Sequence, residues 1–285
     1  MIDLSSVGAI TFKELRDALR NRWFIVFTIA FAGLALALSA ITQPGGSQLR
    51  ALSYSRTAAS LINLVLLFVP LIGLTLGSAN LAGDRETGAL LYLLTQPVSR
   101  AEVLLGKYLG LAGALLATLT LGFGAAGVVL ALQGSIQNAG EYLLTVAFAY
   151  LLALAMLSLG FLISTTAKKT ATALGGALFL WLLLVFIGDL GIMGTAISMQ
   201  LPIEAVFTIV VVHPLQMFKI ASILILQANL EVLGPAGLSA SEQFGGLLMP
   251  LLLGGLILWI SVPLLAAIAL FTRQERFIVR SSAHA

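Results

Sequence analysis

The sequence has no cysteine and little charge: 9% of its 285 residues are Asp, Glu, Lys or Arg, against roughly a quarter in an ordinary soluble domain. Without Cys there is no disulfide, no thiolate-bound zinc or iron–sulfur centre and no Cys nucleophile, and the redox compartment is unmarked. With 59% hydrophobic residues, the scarcity of charge excludes an ordinary soluble enzyme, because one soluble core cannot bury that much aliphatic surface. The bilayer has to be the solvent. Also missing is any G-x-x-x-x-G-K-[ST] motif, so the chain has no P-loop of its own for ATP. The long apolar runs carry no Asp, Glu, Lys, Arg or His in their interiors, which disfavours ion-coupled transport. No Ser within them has a His or carboxylate at the same depth, which disfavours an intramembrane hydrolase.

What the sequence does have is a set of apolar stretches long enough to span a bilayer, for which about 20 residues suffice. Six are expected, over 23–42, 58–82, 108–132, 142–166, 170–188 and 244–272, making residues 1–285 one all-helical polytopic domain. The first exceeds a signal-peptide core and lacks a small-residue cleavage site, so it is expected to remain attached. With the N-terminus inside, twelve of the fifteen basic residues fall on the inner side and only Arg50, Arg56 and Lys219 outside. That bias places both termini in the cytoplasm. The basic residues flank spans and form no dense stripe, so nucleic acid is not an expected partner. The apolar stretch from Glu204 to Glu231 is interrupted by His213, Pro214 and Lys219. It is expected to form one or two short helices on the outer side, broken at the His-Pro step.

Before the first span, Phe12, Leu15, Leu19 and Trp23 recur at helical spacing, while Lys13, Glu14, Arg16, Asp17 and Arg20 are expected on the opposite, polar face. The segment reads either as an interfacial helix with its apolar face in the headgroup boundary or as a plain positive-inside anchor. After the second span, Asp84 and Glu86 are expected at the start of a short helix whose body is Leu90, Leu91, Leu93 and Leu94 and which Pro97 stops. Ser99 and Glu102 then have capping-box spacing at the start of the third membrane helix. Leucines beside charge on the inner side need cover, either a partner's groove or the lipid headgroups.

The run Glu86, Gly88, Leu90, Leu93, Leu94, Pro97, Val98, Ser99 and Arg100 resembles the coupling-helix motif of ABC transporter permeases of the second exporter class. Lys13, Glu14, Leu15, Arg20 and Trp23 are similar to that family's elbow helix, and Gly106-Lys107 follows the motif as in the family. The resemblance spans the whole six-span pattern. It implies two permease copies paired with two cytoplasmic ATPase subunits, in which ATP and Mg²⁺ would bind, while the chain itself holds no cofactor. Within that class, KELRDALRNRW, QPVSRAEVLLGKYLGL and the long outer segment are most similar to permeases of nitrous-oxide reductase maturation systems. That narrower likeness implies a bacterial inner-membrane permease serving the enzyme's copper centre, a periplasmic repeat protein as outer partner, and copper or sulfur as cargo. Export of a lipid, peptide or drug, and a non-transporting membrane scaffold, stay open as alternatives.

Other candidates are weaker. His213 with Met193, Met199 and Met217 has the soft donors that suit Cu(I), although Met equally fills apolar gaps and a His before Pro commonly settles a turn. Asp189 and Glu204 are expected outside, as partner contacts or as solvated loop charge. Lys168 and Lys169, between the fourth and fifth spans, read as a second ATPase contact or as anchors. Small residues including Gly106, Gly110, Gly113 and Gly122 in the third span mark close helix packing or dimerisation.

Overall fold

The computed structural model describes residues 3–41, 47–132, 139–188, 212–225 and 247–282. Their regular structure is helical: α1 (Leu4–Arg20), α2 (Arg22–Ile41), α3 (Ser47–Thr87), α4 (Ala89–Leu94), α5 (Arg100–Leu132), α6 (Ala139–Thr166), α7 (Thr170–Phe186), α8 (Pro214–Ile225) and α9 (Leu248–Ser282). Five of these are long and apolar enough to cross a membrane: α2, α3, α5, α6 and α9. The fifth predicted span corresponds to α7, which has 17 residues and is shorter than those five.

α6 is apolar around its whole circumference, the pattern of a helix buried on all sides. It occupies the centre, packed by α3, α9, α8, α5 and α7. Glycines set the closest approach. A Cβ on Gly77 of α3 would lie 2.6 Å from the Leu157 carbonyl oxygen, and one on Gly160 would lie 2.7 Å from that of Leu74. The α3 and α6 backbones therefore touch, and only small residues permit this.

A second groove holds α1. Its buried residues are Val7, Ile10, Glu14 and Ala18, of which Val7 and Ile10 lie against Gly106 of α5 and Glu14 against Gly110. The contacts advance in step, from Ile10 on Gly106 to Glu14 on Gly110 and Leu15 on Gly113, so α1 runs alongside the first turns of α5 in the same direction. This corrects one expectation: Glu14, assigned to the polar face with Lys13 and Arg16, is only 6% exposed. The Phe12, Leu19 and Trp23 side chains point away from the bundle, and Leu15 is half-buried. At Asn21 the chain leaves helical geometry, and the Asn21 side chain accepts the Trp23 and Phe24 N–H groups to start α2. Trp23 thus belongs to α2 and not to the preceding helix.

A Cβ at Gly110 would fall 2.6 Å from that of Glu14 and 2.7 Å from the Thr11 carbonyl oxygen, whereas at Gly124 of the same helix it would meet nothing within 4 Å. Gly110→Ala is therefore expected to cost about 1–3 kcal/mol as α1 is pried from α5. Gly124→Ala should be neutral or stabilising, since Ala is the better helix former by about 1 kcal/mol. Paired thermal denaturation in detergent checks this, and equal melting temperatures would refute the groove.

The His-Pro break forms as expected, with Pro214 opening α8 and the Met217 N–H donating to the His213 carbonyl. α8 is more buried than an outer surface helix would be, because nearly every side chain packs among α6, α9 and α3. Trp259 Nε1 donates to the Val212 carbonyl, and Gln216 Nε2 to that of Gly188, fastening α8 to α9 and α7. A cavity of about 380 Å³ lies between α3, α7 and α8, with Asn63 and Gln216 as its polar lining.

Candidate functional site

The end of the bundle that carries α4 concentrates the polar chemistry. α3 runs on to Thr87, so Asp84 and Glu86 stand in its last turn and not at the start of the short helix, contrary to the sequence expectation. The break is Gly88, whose φ of +77° lies in the left-handed region that suits glycine. α4 follows and ends at Leu94, before Pro97. Its apolar residues divide: Leu90 is buried in the core, Leu93 is half-buried, and Leu91 is 73% exposed. Tyr92, which the sequence reading passed over, is exposed beside Leu91 at 72%. The side chain of Leu94 lies outside the described residues.

The capping box forms as expected. Glu102 Oε2 accepts the Ser99 N–H at 2.8 Å, and Ser99 Oγ accepts the Glu102 N–H at 3.3 Å. The other oxygen of Glu102 accepts the Asp3 N–H at 2.8 Å, and Asp3 in turn caps α1 through Ser5. One carboxylate thus serves the N-termini of two helices, where the helix dipoles favour negative charge.

Behind this surface lies a buried ion cluster. Lys107, placed by the sequence reading among the inner-side basic residues, has no exposed surface at all. Its ammonium donates to Glu14 Oε1 of α1 and contacts Asp84 Oδ2 of α3, each at 2.6 Å. Asn80 Nδ2 donates to the remaining Glu14 oxygen at 3.0 Å, and Lys13 reaches the cluster from outside at 3.4 Å. A buried charge is tolerable only when paired and hydrogen-bonded, and here three helices supply the partners.

Burial by itself would raise the Glu14 carboxyl. The charge and hydrogen bond of Lys107, with help from Asn80 and Lys13, outweigh burial and hold it below the ordinary carboxylate range. A carboxyl depressed in the folded state contributes fully above its unfolded value and loses that contribution as pH falls through the folded one. The melting-temperature advantage of the protein over Glu14→Gln should therefore be full at neutral pH and shrink once pH drops below about 4. An advantage independent of pH across that window would refute the ionic role.

Two neighbours of Asp84 brace the turn between α6 and α7. The Arg85 guanidinium donates to the carbonyls of Ser164 at 3.3 Å, Thr165 at 3.4 Å and Ala167, at the C-terminus of α6. Glu86 Oε2 accepts the Thr170 N–H at 2.9 Å, at the start of α7. That turn presents Lys168 and Lys169 to solvent, so the structure brings them to the end of the bundle that carries Leu91 and Tyr92. Sequence reasoning missed Lys107 and Arg85 as structural groups. The available signal was a lysine one turn into an apolar run and an arginine–glutamate pair at a helix end.

At the far end, Met217 is buried against Gly255 of α9 and fills core space, while His213 is half-buried beside Gly188. Asp189, Met193, Met199 and Glu204 lie outside the described residues. Among the described residues there is no cluster of three His, Asp or Glu suited to a metal ion.

Comparison with known proteins gives the family. The chain is 36% identical over 199 residues to "Probable ABC transporter permease protein NosY" of Pseudomonas aeruginosa, covering 68% of this chain and 72% of that one. It is 29% identical over 279 residues to the protein of the same name from Stutzerimonas stutzeri, covering 95% and 99%. The family model described as "ABC-2 family transporter protein" matches residues 9–276. With that match covering nearly its whole length, the chain belongs to the ABC-2 transporter family and is a multi-pass membrane permease.

Proposed function

We propose that this permease works as a pair of copies with two cytoplasmic ATPase subunits, and that α4 is the coupling helix through which nucleotide-driven closure reaches the membrane. The observation that carries this reading is the exposure of Leu91 and Tyr92 on a short helix whose flanks are braced to α5, α6 and α7. Soluble surfaces rarely leave two such side chains uncovered, and a helix seated in a partner's groove uses apolar anchors of this kind. Lys168 and Lys169 form a second contact with the same subunit. ATP and Mg²⁺ are held by that subunit, and this chain supplies no catalytic group.

In the same reading residues 1–285 form one domain with six crossings, the five long helices and α7, whose 17 residues reach about 26 Å, near the lower limit for a span. Both termini face the cytoplasm of a bacterial cell, in keeping with the distribution of Lys and Arg. α1 is the elbow helix, with Phe12, Leu19 and Trp23 turned toward lipid headgroups. The segment 189–243 meets a periplasmic repeat protein, and the cargo is a copper or sulfur species for the copper centre of nitrous-oxide reductase. The likeness to the two NosY proteins supports this assignment.

Purification from native membranes in gentle detergent, with identification of the co-purifying chains and assay of ATP hydrolysis, tests it. An ATPase together with a periplasmic repeat protein is the expected outcome. An ATPase alone would keep the transporter and reopen the cargo, and no ATPase at all would leave a scaffold.

A further inference from the structure

Asp84, Arg85 and Glu86 are consecutive, and each is bonded to a different part of the bundle. Successive residues of an α-helix point about 100° apart, so three in a row at the end of α3 fan out toward separate neighbours. Asp84 meets Lys107 of α5 at 2.6 Å, and the same ammonium holds Glu14 of α1 at 2.6 Å. Arg85 donates to the last carbonyls of α6, and Glu86 accepts from the first turn of α7. The signs suit the ends they meet, since a cation favours the C-terminus of a helix and an anion the N-terminus. Immediately beyond the three, Gly88 turns the chain into α4.

We infer that Asp84, Arg85 and Glu86 form a three-way junction that hands a displacement of α4 separately to α5 with α1, to α6, and to α7. They are positioning residues for transport, and the inference rests on reading α4 as the ATPase contact. A junction differs from plain bracing in one respect. The α3 and α6 backbones still touch when one arm is cut, so that cut weakens the response of one helix most while the others keep theirs, whereas loss of a brace loosens the whole end equally.

The absence of cysteine makes the test clean. Single cysteines at the exposed positions Arg16 of α1, Thr166 of α6 and Thr172 of α7 are introduced one at a time into the full chain, in complex with its ATPase subunit in liposomes. Their reaction rates with a membrane-impermeant maleimide are compared without nucleotide and with nucleotide trapped by vanadate. In the otherwise unaltered protein all three rates should change. Asp84→Ala, which leaves the Lys107–Glu14 pair intact, should reduce the change most at position 16. Arg85→Ala should reduce it most at 166 and Glu86→Ala most at 172, with the ATPase still bound. Glu86→Gln keeps a hydrogen-bond acceptor and should restore the response at 172, and Arg85→Gln replaces Arg85→Ala if the latter does not insert. Arms that reduce all three changes equally, or none of them, overturn the junction. So does an unaltered protein that retains its ATPase but shows no nucleotide-dependent change. An unaltered protein that retains no ATPase instead overturns the coupling role of α4, and this inference with it.

Discussion

A Lys107→Met variant is expected to lose about 3–5 kcal/mol of stability, the usual cost of removing one partner from a buried ion pair. The ammonium is fully buried and sits 2.6 Å from each of two carboxylates, Glu14 and Asp84. Methionine matches its length and adds apolar surface, so packing is nearly preserved and the loss is electrostatic. Two carboxylates would then face each other with only the half-exposed Lys13 nearby. The expected sign is a lower melting temperature in detergent and poorer recovery of monodisperse protein. Neutralising the whole cluster, with Glu14→Gln and Asp84→Asn added to Lys107→Met, should recover most of the loss, because replacing a complete buried ionic group is often nearly neutral. A single variant as stable as the parent would show that the cluster is unimportant to the fold.

Leu91→Arg should act in the opposite way, leaving the fold alone and abolishing assembly. At 73% exposure Leu91 makes few internal contacts, so arginine there meets solvent without strain. In a partner's groove the same charge would be desolvated and unpaired. A central apolar anchor is worth 2 kcal/mol or more, so the ATPase subunit should bind at least about 30-fold more weakly. Binding measured with the purified chain gives the number, and Tyr92→Ala should weaken it in the same direction. Leu90→Arg is the internal contrast, because Leu90 is 6% exposed and its replacement should damage the fold first. Undiminished binding by Leu91→Arg would place α4 on the lipid surface.

Features that depend on neighbouring residues were legible before the fold was known. The Ser99–Glu102 box, the start of α8 at Pro214 and the short helix ended before Pro97 each follow from a few adjacent side chains and backbone groups. The apolar run lengths likewise identified five helices that reach spanning length. What the sequence did not show was a second face of α1, on which Glu14 is buried. Phe12, Leu15, Leu19 and Trp23 made the more conspicuous stripe on α1, yet the buried stripe is Val7, Ile10, Glu14 and Ala18. The reason lies elsewhere in the chain, where Gly106 and Gly110 open a groove and Lys107 beside them makes a buried glutamate tolerable.

The sequence by itself therefore determined the solvent, the helical class, the Ser99–Glu102 cap and the family motif around Gly88, because hydropathy and capping act along neighbouring stretches of chain. Only the tertiary structure decided what the charges do. Glu14 and Lys107 are 93 residues apart, Arg85 and Ala167 are 82 apart, and Glu86 and Thr170 are 84 apart. No periodicity links such pairs. In a chain so poor in charge, Glu14, Asp84, Arg85, Glu86, Glu102 and Lys107 at the α4 end bond to one another and to helix ends, and which partner each one finds is settled by helix packing.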